Sequence, residues 1–222
     1  MDGFATLPLT REHLDWPFFE KAHLDWAAKL DAFANSPALA GVDHHDTDNA
    51  CRALVKALGK AGLLQAAVSL TGGDVIDSRK LCIARETLAY HDGLADFAFA
   101  MQGLGTGAIS LSGSGELKNV VLPKVASGEW ISAFALSEKL AGSDVAAMGC
   151  AARLDGDHYV LDGEKTWISN GGIADVYTVF ARTGEAPGTR SISAFVVFAT
   201  DPGFSIAERI DVIAPHPLAT IR

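Results

Sequence analysis

ALSEKLAGSDVAAM, residues 135–148, stands just downstream of a change in the periodicity of the chain. Up to about residue 128, apolar residues recur at the three- and four-residue spacings of helices; beyond it they fall in short β-rich runs. Within the stretch, Ser137, Glu138 and the Gly142-Ser143-Asp144 turn follow directly on the strand-like run WISAFAL. Small residues there permit a tight turn whose backbone N–H groups point outward together, and such a turn can hold phosphate oxygens. An ordinary strand-to-loop corner with an Asp cap explains the same residues. Taken alone, the stretch leaves both open.

Working outward, WPFFEKAHLDWAAKLDAFA carries an apolar stripe through Trp26, Leu30 and Phe33. DTDNACRALVKALGKAGLL repeats the pattern, with Asp46 or Thr47 as N-cap and Gly62 near the stop. Ser78 opens a long segment that breaks at Asp92-Gly93 into two helices, the second apolar nearly all round and suited to the inside of a bundle. SGSGELKNVVLP predicts a final helix capped near Ser114 and stopped by Pro123. Downstream, CAARLD, HYVLDGEKTWIS, DVYTVFART and ISAFVVFAT read as strands, punctuated by Asp155-Gly156, Asp162-Gly163 and Gly171-Gly172. Helix runs followed by strand runs, without regular alternation, predict an α+β chain. An N-terminal all-α bundle over residues 1–128 precedes an antiparallel β-barrel or sandwich domain over 129–222. The last residues, DPGFSIAERIDVIAPHPLATIR, are strand-like and end without a cap, as a chain cut within an element would.

Composition narrows the function classes. With 222 residues, 49% hydrophobic and 20% charged, the chain can bury a substantial core. A net charge of -9 and the lack of any basic run argue against nucleic acid. Cys51, Cys82 and Cys150 are odd in number and show no C-x-x-C pattern, so a cytoplasmic protein without disulfides is expected. No signal-peptide pattern opens the chain, and no apolar run approaches the ~18 residues of a membrane span.

Several chemistries are missing. There is no G-x-G-x-x-G after a strand, no P-loop and no G-x-S-x-G elbow; GLGTG at 103–107 has no preceding strand. His44, His45 and Asp46 could be metal ligands, but no third ligand stands at a motif spacing, and a solvated loop with a helix cap accounts for them. Trp167 and Ser169, two apart in a strand, share a face opposite Ile168. An indole beside a hydroxyl suits a flat, electron-poor ring, although a core Trp near a surface Ser has the same spacing.

ALSEKLAGSD and GEKTWISNGG together resemble the two signatures of the acyl-CoA dehydrogenase family, approximately [TS]-E-P-x-A-G-S-D and G-x-K-x-[WY]-I-[TS]-N-[GA]. The likeness extends back through ARETLAYHDGLADFAFA and forward to SAFVVFATDPGF, covering most of the chain from about residue 46. Lys139 stands where the family has Pro, and LQAAVSLTGGD is a loose form of its P-x-x-x-G-G turn.

The resemblance implies FAD and a reaction in which an acyl-CoA thioester becomes the 2,3-enoyl-CoA, in fatty acid and lipid metabolism. It implies a flavin lined by Phe134, Leu136, Ser137, Gly142, Ser143, Trp167, Ile168 and Ser169. Ser137 belongs by this likeness at the pyrimidine edge and Ser169 at N5. Ser143 also falls beside the CoA portion, Met101, Leu104 and Thr106 along the acyl pocket, and Thr189 and Arg190 near the CoA phosphates. An electron-transfer flavoprotein as electron acceptor and a homo-oligomer, dimer or tetramer, are implied as well. The family's base is a Glu on a C-terminal helical domain; Glu138, Glu164, Glu185 and Glu208 do not match its position, so the base is expected beyond Arg222. A fragment, a subunit whose base lies on a partner, and a flavin-binding module without turnover all fit these residues. Flavin monooxygenases and oxidases share the scaffold and form the alternative chemistry.

Overall fold

The computed structural model describes residues 8–70, 76–184, 186 and 188–222. The Thr71–Asp74 part of the glycine turn and Glu185 therefore lie outside the described residues. Six α-helices come first: α1 Lys21–Ala34, α2 Pro37–Ala40, α3 Thr47–Lys60, α4 Ser78–His91, α5 Gly93–Ser112 and α6 Gly115–Ala126. Eight strands follow: β1 Ser132–Ala135, β2 Ala151–Asp155, β3 His158–Asp162, β4 Lys165–Ser169, β5 Val176–Arg182, β6 Ile192–Phe198, β7 Ile206–Arg209 and β8 Leu218–Ile221.

The caps explain the helix boundaries. The Asp46 carboxylate accepts from the Asn49 N–H to open α3, and Gly62 turns the chain out after it at φ +67°. α4 begins at Ser78 as expected, with the Asp77 carboxylate as its N-cap accepting from the Arg79 N–H. Asp92 ends α4 in extended conformation and caps α5 by accepting from Leu94 and Ala95, so a single residue makes the break. Pro123 does not stop α6. It lies inside the helix, which runs one turn further because Leu122, Val125 and Ala126 are packed in a core cluster. Burial of each such side chain, about 1.5–3 kcal/mol, offsets the hydrogen bond a helical proline forfeits.

The β region is made of two sheets. In the five-stranded sheet β5 is central: β6 pairs antiparallel along one edge over residues 176–182. On the other edge β1 pairs parallel with the start of β5, and β2 pairs parallel at Arg182. The remaining sheet has the order β4-β8-β7, antiparallel throughout. The first sheet is thus mixed rather than purely antiparallel, and among the described residues the two sheets do not close into a barrel. ALSEKLAGSDVAAM begins with the last residue of β1 and then leaves the sheet, the chain returning as β2 to the same edge of β5.

Helices and sheets meet along α5. Ser132 in β1 donates its N–H to Gln102 Oε1 at 2.9 Å, and Thr178 in β5 donates to the Gly105 carbonyl at 2.6 Å. A Cβ on Gly105 would come within 2.5 Å of Ser132 Oγ, so only glycine admits this approach. The main core runs through this contact, from Leu30, Leu54 and Leu88 to Phe99, Ala133, Ile168 and Tyr177.

Candidate functional site

The two sequence signatures meet main chain to main chain. The Thr166 N–H donates to the Ser137 carbonyl at 2.9 Å, so β4 is fastened to the segment leaving β1. Behind this junction Lys165, with 2% of its side chain exposed, donates to the Leu136 carbonyl at 3.1 Å and to Glu138 Oε1 at 2.7 Å. Glu138 also accepts the N–H groups of Gly149 and Cys150, at 2.6 and 2.9 Å. Burial pushes the Glu138 carboxyl up, but Lys165 and the two amides outweigh it and hold the group below its ordinary value. Glu138 and Ala141 exchange backbone hydrogen bonds around a tip at Lys139 and Leu140, leaving Gly142, Ser143 and Asp144 exposed beyond it.

β4 is not a regular strand. Its pairing with β8 shifts register between Lys165 and Ile168, and Trp167 takes φ +59°. A left-handed conformation costs an L residue roughly 1–2 kcal/mol, and a bulge is where a side chain is re-aimed. Here it turns the indole outward, 59% exposed, while Ile168 is 1% exposed in the core. Asn170 also has positive φ, +61°, and its amide donates to the Ser132 carbonyl at 2.8 Å, tying the end of β4 to β1.

The wall can receive a flat polar ring. Among the described residues the hydroxyls of Ser137 and Ser169 and the Trp167 indole N–H have no hydrogen-bond partner, although both serines are half-buried. Gly142 faces open space where a Cβ would stand. Unspent donors beside an outward indole fit the pyrimidine and central rings of a flavin.

The other residues singled out in the sequence divide. Phe134 is half-buried with its ring 5.0 Å from that of Phe180, and Leu136 is half-buried next to Ser137. Ile168 points into the core, so only its main chain reaches the wall. On α5, Met101 and Leu104 lie on the outer face, with Leu104 46% exposed. Thr106, about 200° further round the helix than Leu104, is fully buried and donates to the Gln102 carbonyl at 2.7 Å. It does not share that face. Thr189 and Arg190 are exposed on a 3-10 turn, Gly188–Ser191.

Glu138, Glu164, His44 and Asp46 are otherwise engaged. Glu164 pairs with Arg222 at 2.7 Å, and Glu208 is exposed on β7. Asp46 caps α3, His44 Nε2 lies 2.9 Å from Asp92, and among the described residues no group of His, Cys, Asp and Glu could hold a metal ion. Sequence reading did not find the Lys165–Glu138 pair, Arg182, Gln102 or Asn170. The signal for the pair was present, since one signature fixes an acid and the other a lysine.

A helical layer docked through α5 on two sheets, with an indole and unpaired hydroxyls facing out of the seam, defines a flavin-type α+β scaffold. Residues 20–129 match the model of the acyl-CoA dehydrogenase N-terminal domain, and residues 133–220 match that of the acyl-CoA dehydrogenase middle domain. The probable acyl-CoA dehydrogenase fadE25 of Mycobacterium bovis is 44% identical over 138 residues, 62% of this chain and 36% of that protein. The mitochondrial isovaleryl-CoA dehydrogenase of Pongo abelii is 34% identical over 180 residues, 79% of this chain and 43% of that one. The crystal structure of an acyl-CoA dehydrogenase complexed with FAD from Bacillus anthracis superposes with a TM-score of 0.76 at 32% identity, covering 91% of this chain and 35% of that one. The chain belongs to the acyl-CoA dehydrogenase family, and it spans less than half the length of these relatives.

Proposed function

We propose that this chain supplies the flavin wall of an FAD-dependent acyl-CoA dehydrogenase, an oxidoreductase that converts an acyl-CoA thioester to the 2,3-enoyl-CoA in fatty acid metabolism. The observation that carries the reading is the Thr166-to-Ser137 hydrogen bond, which joins the two signatures into one surface bearing unpaired hydroxyls and an outward indole. Bound FAD supplies the hydride acceptor.

The chain's own residues bind and orient. Ser137 would donate at the pyrimidine edge of a bound flavin, where a donor held in place favours negative charge. Trp167 would pack along the ring, and Ser169 would donate near N5. Met101 and Leu104 offer an apolar face to the acyl group, while Ser143, Thr189 and Arg190 serve the CoA and pyrophosphate side. Glu138 and Glu164 are held in ion pairs, and we assign proton removal to none of the described residues. An electron-transfer flavoprotein as acceptor, a homo-oligomeric assembly, a cytoplasmic setting and a helical unit over 1–128 followed by a β unit over 129–222 complete the reading. Among the described residues no helix is long and apolar enough to cross a membrane.

The test is direct. The purified chain is loaded with FAD and mixed anaerobically with acyl-CoA thioesters of graded length. Retention of the yellow flavin band, with Ser137→Ala and Ser169→Ala each weakening it, supports the wall. Because no base is assigned on this chain, a shift of the flavin band on binding one thioester class, without bleaching, supports the dehydrogenase. A chain that takes up no flavin would sink the proposal.

A further inference from the structure

Arg182, the last residue of β5, has an arrangement that the flavin wall does not use. Its side chain is partly buried and, among the described residues, meets no carboxylate. Nη2 donates to the Ala146 carbonyl at 2.6 Å and Nε to the Met148 carbonyl at 3.4 Å. Nη1 donates to the Gly188 carbonyl at 3.2 Å and to the Ser191 hydroxyl. One guanidinium thus closes on two segments 36 and 6 residues away in sequence. The first follows Gly142-Ser143-Asp144 directly; the second carries Thr189 and Arg190. Arg182 is itself fixed, since its N–H donates to the Cys150 carbonyl at 2.8 Å and its strand is paired on both edges.

We propose that Arg182 is a positioning residue that couples the 144–148 segment to the 188–191 turn, so that the two move as one unit and present their polar groups to the nucleotide end of CoA. The ligand half of this statement rests on the acyl-CoA reading above; the coupling rests on the hydrogen bonds alone. The fork geometry is what matters. Four acceptors in two directions suit a planar guanidinium with five donors, whereas an ammonium is a point charge with three. Arg190, exposed on the turn, is the cation placed to meet a phosphate, while Arg182 spends its donors on three carbonyls and one hydroxyl.

The test compares wild type, Arg182→Lys and Arg182→Gln, all loaded with FAD, with Ser191→Ala as a milder variant that removes one contact. Amide hydrogen exchange is followed over 144–150 and 188–191, and CoA and pantetheine, which lacks the nucleotide end, are titrated calorimetrically. Positioning requires that Lys and Gln behave alike. Both should speed exchange in both segments and weaken CoA binding by about ten- to a hundredfold, as small misplacements do, with pantetheine unchanged. Ser191→Ala should loosen 188–191 to a smaller extent. If Arg182→Lys matches wild type, charge and not the fork is at work and the proposal fails; it fails equally if only one segment loosens. If wild type takes up no CoA while both segments still loosen in the variants, the coupling stands and the acyl-CoA reading is what falls.

Discussion

Lys165 Nζ donates to Glu138 Oε1 at 2.7 Å, joining the fixed lysine of one signature to the fixed acid of the other with 2% and 12% of their side chains exposed. The pair also anchors the Leu136 carbonyl and the amides of Gly149 and Cys150, so both ends of the excursion between β1 and β2 hang on it. Removing one member of a buried pair strands the other. Lys165→Met should therefore destabilise the chain by about 3 kcal/mol, read as a shift in the urea midpoint at neutral pH. Glu138→Gln in the same background should recover part of the loss, because no unpaired charge then remains.

The same carboxylate sets a pH dependence. Its folded pKa lies below the ordinary value of 4.5, so its contribution is complete above that value and is lost as pH falls through the lowered folded value. Asp77, held low by its hydrogen bonds to Arg79 and His23, acts in the same direction. Urea midpoints measured from neutrality to about pH 3 should fall below pH 4.5 in wild type and fall less steeply in Glu138→Gln. Parallel curves for the two proteins would show that Glu138 is not held low.

Gly105 and Gly107 lie on one helix and should respond to alanine with opposite signs. A Cβ at 105 meets Ser132 Oγ at 2.5 Å and Ala133 N at 2.9 Å, whereas nothing lies within 4 Å at 107. Gly105→Ala should cost roughly 1–3 kcal/mol by forcing α5 off β1, and Gly107→Ala should add about 0.5–1 kcal/mol through helix propensity. Thermal unfolding of the two variants is sufficient to decide.

The order of helices and strands was legible because its signals are local. Asp46, Asp92 and Ser114 are caps, Gly62 is a stop, and the Asp-Gly pairs lie at strand ends. Pro123 misled because its tolerance depends on what Val125 and Ala126 meet in space. The mixed sheet was hidden for a similar reason: β1 and β2 share one edge of β5 through contacts 31 to 44 residues apart. At the site, Trp167 and Ser169 were placed on one face by simple alternation. The bulge at Trp167, and the burial of Thr106 away from Met101 and Leu104, are tertiary outcomes that spacing does not encode.

Cysteine reactivity offers an independent check on packing. Cys82 is exposed, while Cys51 and Cys150 are buried. Burial pushes the Cys51 thiol up to about 12 and raises that of Cys150. A thiol with so high a pKa has almost no thiolate at neutral pH. A thiol reagent should modify one cysteine in the native chain and three in denaturant, and Cys82→Ser should abolish the native reaction. Cys51 Sγ on α3 donates to Asn170 Oδ1 at 3.7 Å, so rapid native labelling of Cys51 would mean that α3 does not seat against the Asn170 turn.

Trp167 combines a backbone cost with an exposed aromatic surface, and the two can be separated. In an ordinary strand, alanine is favoured over glycine. At φ +59° the preference should invert, because glycine takes the left-handed region freely while alanine keeps the Cβ penalty. Trp167→Gly should thus be more stable than Trp167→Ala by about 1 kcal/mol in urea unfolding of the flavin-free chain. Both variants lack the indole, so both should bind FAD more weakly than wild type, whereas Trp167→Phe should retain most of the affinity. If alanine proved the more stable, the bulge would not be held as described. If all three variants bound FAD like wild type, the strain at Trp167 would serve something other than the flavin.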